Sequence, residues 1–293
     1  MTTSSSAAIT RNFIRAKRPC ADGYRWLLRR PEADSNYQTL LDDLVRDGRV
    51  NDACWLLDQF GPTDDVLQVN HLLADALVFA GTVECTGNAD VTSLLRTGRS
   101  LSVRGGLQVG GSLQVGDDLA VGAALRCDAD IRIGGDARTE WGVDAGKELV
   151  CDGHLRVGWG VRCGAGVRVK GDLTVAQDLS AQGKLHCDGR VRVGGDLVVV
   201  GAIGVERGIE VVGALDCTDH LEAGWGIRAG GAIRSHGAIR VGESLFAGST
   251  IEAGSDYGVF AGLVVPVQAW QASACVTASE RPQRLFSGHW SPS

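Results

Sequence analysis

The stretch LQVGGSLQVGDDLAVG, residues 107–122, places Leu107, Leu113 and Leu119 six residues apart, with a valine two residues after each. Side chains at i and i+2 share one face of a strand. Each hexad therefore reads as one short strand with both apolar groups inward and three residues left for a corner. Counting by six from Val83 reaches Leu, Ile, Val or Ala at every step, through Leu125, Leu149, Leu173, Leu197 and Leu221, to Ile251 without an insertion. Two positions after each stands Val, Ile, Ala, Cys, Thr or Ser, never Leu, Phe or Trp. Glycine among the corner residues is expected to supply positive φ.

One such unit cannot bury its own face, but stacked units share a continuous core, which is the logic of a solenoid. A six-residue period drifts around a helix and excludes a coiled coil. Charge sets the number of hexads per coil. At a separation of 18, Arg126 meets Asp144, Asp144 meets Arg162, Arg192 meets Glu210 and Glu210 meets Arg228. Asp216 likewise meets Arg234, Glu222 meets Arg240, and Arg234 meets Glu252; only Arg138 with Arg156 brings like charges together. A separation of 12 aligns like charges, such as Glu210 with Glu222 and Arg228 with Arg240. Opposite charges across neighbouring strands stabilise by roughly 0.2–1 kcal/mol and like charges oppose pairing, so the 18-residue coil is selected. The sequence predicts a mainly β fold: a three-sided parallel β-solenoid over 81–267, of about ten coils. A small α-helical N-terminal domain over 1–80 and an irregular C-terminal cap over 268–293 flank it.

The quoted unit resembles the hexad of bacterial bactofilins, the polymer-forming cytoskeletal β-helices. It is also similar to the hexapeptide repeat of left-handed β-helix acyltransferases. The resemblance covers roughly residues 83–267 and implies a β-solenoid. The bactofilin likeness implies end-to-end polymerisation. The acyltransferase likeness implies a corner histidine and a pocket for an acyl carrier. This chain departs from the first in carrying substantial sequence at both ends. It departs from the second in putting the large aliphatic residue first and glycine after the small one. His154 and His220 fall at the last hexad position, His186 at the second and His236 at the fourth, and no loop excursion between 83 and 250 builds a pocket.

The ends follow other rules. NYQTLLDDLVRDG, residues 36–48, predicts a helix stopping at Gly48, and NDACWLLDQFGP, residues 51–62, a second with Asn51 or Asp52 as N-cap and a Gly-Pro stop. Residues 11–30 hold seven Arg or Lys against the single Asp22, while 31–65 are acidic. Mutual neutralisation within one helical domain is expected, with a basic partner patch as the alternative. Near Ser255 and Asp256 two extra residues slip the register, and Pro266 cannot donate to a ladder. Both solenoid ends read as covered, which argues against end-to-end growth.

Composition narrows function. A net charge of −6 argues against bulk nucleic-acid binding, and the longest apolar runs fall short of a membrane span. The start lacks the apolar core of a secretion signal, although its Ser-rich, Arg-bearing composition also suits a transit peptide. Nine cysteines, odd in number and without a disulfide framework, point to a reducing cytoplasm. Six of them occupy the small inward position. Since Cys127 should face Ala145 and Cys151 should face Val169, they read as core rather than metal ligands. No catalytic, cofactor or metal residues are assigned and no small-molecule substrate is expected.

The candidate partner contacts are Trp141, Trp159, Trp225, Arg207 and Tyr257. The three tryptophans share the fifth hexad position, each followed by Gly. Trp141 and Trp159, 18 apart, should stack at one corner, and Trp225 should stack over Arg207. Corner packing or an anchor for a protein partner would each explain them. The reading is a non-enzymatic cytoplasmic scaffold or interaction solenoid that binds a protein or itself. A bactofilin-like polymer and an acyltransferase-like enzyme are the alternatives.

Overall fold

The computed structural model describes residues 11–29 and 36–292. From Val83 to Ile251, each stepped aliphatic side chain is at most 4% exposed. Strands pair in parallel with the strand one coil away, in the register the charges required: Leu107 with Leu125, Leu125 with Val143, and Leu149 with Val167. One face of the prism is a 13-stranded sheet running from Val66–Val69 to His289–Pro292. The other two faces form a single 21-stranded sheet, because strand Ala89–Thr97 is long enough to pair across a corner with both Leu107–Val109 and Ser112–Val115. About thirteen coils at the ~4.8 Å strand spacing give a prism about 60 Å long.

The expected count of ten was short because both terminal coils depart from the six-residue step. Val66 pairs with Thr82 and Leu72 with Ala89, separations of 16 and 17 residues. At the far end Ile239 pairs with Val259, which confirms the two-residue slip. Residues 261–274 then bulge out, carrying the turn Val267–Ala269 and the short helix Trp270–Ser273, before Val276 returns to pair with Leu245. The expected boundaries at 81 and 268 therefore move outward. Strands at 66–79 and 275–292 belong to the solenoid.

Glycine serves a different purpose from the expected one. Between Val83 and Ile251 only Gly201 has positive φ. Most corner glycines instead lie under a carbonyl of the previous coil: a Cβ on Gly164 would come 2.1 Å from the Gly146 oxygen. Equivalent positions elsewhere carry Asp128, Glu140 and Lys170, so the restriction belongs to particular corners.

Among the described residues four helices precede the prism: α1 (Arg11–Ala16), α2 (Ala21–Leu28), α3 (Tyr37–Arg46) and α4 (Val50–Phe60). The Asn36 side chain caps α3, and Gly48, at φ 72°, ends the turn that follows it. The expected cap of α4 is displaced. The helix begins at Val50 without a side-chain cap, because the turn at Gly48 brings Arg49 straight to its entrance. There the Arg49 N–H donates to the Leu44 carbonyl (2.8 Å) and its guanidinium pairs with Asp52 across the first turn.

The helices pack on the flank of the first two coils. Leu40, Leu41, Leu44, Leu56 and Leu57 share one core with Val78 and Ala80. The Gln38 amide behaves as a short piece of strand: its Nε2 donates to the Val78 carbonyl (3.0 Å) and its Oε1 accepts from the Ala80 N–H (2.9 Å). Asp58 pairs with Arg96, and Asp64 with Arg99 at 2.7 Å, so part of the acidic segment is compensated by the solenoid rather than by residues 11–30. Residues 30–35, the junction of the two charge blocks, lie outside the described residues.

The expectation that both ends are covered is not met by strand pairing: at the C-terminal end Leu285–Ser287 and His289–Pro292 each have a strand partner on one side only among the described residues. Gln38 covers one edge of the first coil. The outer edges of Val66–Val69 and Leu72–Ala74 have no strand partner among the described residues, and Leu73 is 85% exposed. Replacing Gln38 by Ala strands a backbone carbonyl and a backbone N–H at a part-buried interface. The expected cost is about 1–3 kcal/mol, read as a lower urea midpoint together with faster hydrogen exchange at the Ala80 amide.

Candidate interaction surface

A stack of identical registers makes each polar position meet its own equivalent, and most outward groups are consumed in doing so. Five expected ion pairs form: Arg126–Asp144 (3.8 Å), Arg192–Glu210 (3.0 Å), Arg234–Asp216 (3.6 Å), Arg234–Glu252 (3.7 Å) and Arg240–Glu222 (2.9 Å). Each is exposed and worth roughly 0–1 kcal/mol. Two expected pairs do not close. Arg228, in register with Glu210, lies over the Phe246 ring instead at 4.8 Å. Arg162, in register with Asp144, makes no ion pair among the described residues, where Asp144 reaches Arg126 instead. The like-charged Arg138 and Arg156 do lie side by side, and Arg138 is relieved by Glu140 at 2.7 Å.

The corners hold a second set of bonds. The Asp118 carboxylate accepts the Asp136 N–H (2.8 Å) and Asp136 accepts the His154 N–H (2.7 Å). His154 Nδ1 then accepts the Asp172 N–H (2.9 Å), and Asp172 accepts the Arg190 N–H (2.8 Å). Asp178, Asp196 and Ala214 repeat the pattern on another corner. His220 Nδ1 accepts the Ala238 N–H at 2.9 Å. These histidines therefore satisfy backbone donors. The Arg190 N–H, with further help from the positive charges of Arg207 and Arg190, holds the Asp172 carboxyl below its usual range despite partial burial. The signal was present in the sequence as a polar column at 118, 136, 154 and 172.

The inward cysteines face small residues as expected: Cys127 opposes Ala145 and Cys151 opposes Val169. They are more than small hydrophobes. Cys127, Cys151, Cys163 and Cys187 each donate to the carbonyl sixteen residues earlier, at 2.9, 3.3, 2.8 and 3.2 Å. Ser235 does the same at 2.6 Å to Asp219. Among the described residues no group of three or more His, Cys, Asp or Glu side chains is arranged to hold a metal ion.

Among the outward groups left without a partner are aromatic side chains. Trp141 and Trp159 are each 64% exposed and occupy equivalent corners of adjacent coils. Their rings do not stack, contrary to expectation; the ring pairs among the described residues are Tyr37–Phe60, His220–Tyr257 and Phe260–Phe286. The Trp159 ring instead leans toward Gly142, with Cδ1 3.9 Å from where a Cβ would stand. That glycine, like Gly160 and Gly226, would bring a Cβ to 3.1 Å from a carbonyl of the next coil. Trp225 is half-exposed and does lie over Arg207 (5.7 Å), joined by Arg190 at 5.6 Å. Tyr257 follows the turn made by the register slip and meets the His220 ring edge-on at 5.2 Å.

The buried thiols predict a pH dependence. Burial raises the Cys151 and Cys187 thiols from their ordinary value of 9.0 to about 11. The folded state thus favours the neutral thiol. That contribution is complete below about pH 9 and is lost as pH rises through about 11. Urea midpoints measured across this window should fall, and the fall should be shallower when Cys151 and Cys187 are both replaced by Ala.

A family model described as the YdhT N-terminal domain matches residues 1–60. No curated protein and no solved structure matches the chain. The matched segment ends at Phe60, the last residue of α4, and the first solenoid strand begins at Val66. No helix among the described residues is long and apolar enough to cross a membrane.

Proposed function

We propose that the protein is a non-enzymatic scaffold, a rigid prism that presents a protein-binding corner at Trp141 and Trp159 and carries its helical unit as a fixed attachment. The observation that supports this most directly is the contrast along the prism. Its charges and corner amides are largely satisfied within the stack, whereas two indoles on adjacent coils stand in solvent. Large exposed aromatics with no internal partner are the side chains that most often anchor a protein interface. The bonds from Gln38, Arg96 and Arg99 hold the helical unit to the first coils, so a partner on the helices would be fixed relative to one on the prism. A cytoplasmic setting suits the free cysteines.

Affinity capture from a cell extract tests this reading with the intact chain and with Trp141 and Trp159 both replaced by Ser. Loss of specific partners at unchanged thermal stability is expected. An identical partner set would remove the corner from the function.

One observation favours a second reading, self-association in the manner of a bactofilin-like polymer. The unpaired edges at Val66–Val69 and Leu72–Ala74 offer backbone groups to another chain beside the exposed Leu73. On this reading Leu73→Lys shifts the protein toward monomer in sedimentation velocity. Single particles at all concentrations of the unaltered chain would end it.

A further inference from the structure

The coil 155–172 differs from most of the prism in leaving its outward charges unbalanced. It presents one arginine on each of its three faces, Arg156, Arg162 and Arg168, and none of them pairs with a carboxylate among the described residues. At the central position of other strands Arg126, Arg132, Arg192, Arg234 and Arg240 each pair with a carboxylate, and Arg228 lies over the Phe246 ring. The carboxylates nearest in register are already engaged: Glu140 by Arg138, Asp144 by Arg126, and Asp152 by Lys170 at 3.0 Å. On one side of this belt, between Arg156 and Arg162, stands the exposed Trp159, with Trp141 one coil below. The break in charge alternation and the exposed indoles thus fall at one corner of a protein whose net charge is −6.

We infer that the corner formed by Arg156, Trp159 and Arg162, with Trp141 beside it, binds a short acidic segment of a partner protein that crosses the prism from one face to the next. The inference rests on the scaffold reading and names the chemistry of its partner. Free guanidinium forks match carboxylates in a bidentate geometry, and arginine with tryptophan is the pairing most enriched where binding energy concentrates. The shape of the charge selects a peptide over a nucleic acid. The belt is one coil deep, about 5 Å along the prism axis. A phosphate chain running along the axis would meet Asp144 and Asp90 on the same face, whereas sustained phosphate binding needs an extended basic track.

The test is fluorescence anisotropy of the full chain with a fluorescein-labelled oligoglutamate peptide and, separately, with labelled single-stranded oligothymidylate. Saturable binding of the peptide is expected, weakened about tenfold when Arg156 and Arg162 are both replaced by Gln. Trp159→Ala should weaken it as well, and Arg240→Gln, at a paired arginine on another face, should leave it unchanged. Arg156→Lys with Arg162→Lys should restore only part of the affinity, because the charge returns without the fork. All these side chains are exposed, so unchanged melting curves confirm that folding is not at issue. No peptide binding, or binding indifferent to the Gln pair, overturns the acidic-partner inference. Tighter oligothymidylate binding that is lost in the same variant overturns it in favour of nucleic acid. If the peptide fails while the Trp141/Trp159 variant still loses its captured partners, the scaffold reading stands and only the acidic chemistry falls.

Discussion

Parallel pairing at a fixed return of eighteen residues forces every position to lie against its own equivalent in the next coil. For the inward positions this is costless, since Leu149 beside Val167 or Leu185 beside Ile203 extends one apolar column. For the outward positions it is a restriction, because a charge repeated in register repels itself. Alternation of sign along a face, as in Asp216, Arg234 and Glu252, is the solution that this geometry permits. The corners face the same restriction with backbone groups. There a carboxylate or imidazole that accepts one N–H from the next coil can be repeated indefinitely, as it is from Asp118 to Arg190.

The same constraint explains what the sequence made legible. The core, the parallel register and five ion pairs follow from spacing alone, because spacing is what the repeat conserves. The corner ladders are equally periodic but not legible, since Asp and His at a turn look like solvent-facing residues until the next coil's N–H is placed beside them. The cysteines have the spacing of small hydrophobes, and their second role as donors depends on a carbonyl sixteen residues earlier that no local pattern reveals. Positive φ is the usual reason for glycine at a turn. The actual requirement is closeness of approach between coils, a long-range property.

Errors at the ends share one physical cause. A terminal coil has a neighbour on one side only, so its length is free to drift. The coil from Val66 to Phe79 uses separations of 16, 17 and 18 residues along its course. A fixed six-residue step does not fit it, so by sequence the first strands read as part of the helical unit. That unit in turn leaned on the solenoid more than composition implied. Gln38, a polar residue on an amphipathic helix, spends both amide groups on the open edge of a strand forty residues away.

The candidate surface was visible in the sequence for the reason that makes it informative. In a stack where equivalents touch, an unbalanced residue has no neighbour to hide behind, and each exception carries outward. Arg138 beside Arg156 is such an exception, and so is the exposure of Trp141 and Trp159. Trp225 shows the contrasting case. It sits at the same hexad position, yet Arg207 and Arg190 both reach its ring, so its exposure is partly spent within the chain. The tryptophan motif alone does not separate anchor from packing; the charge environment of its coil does. By that criterion the coil of Arg156, Arg162 and Arg168 is where the prism has most left to offer a partner.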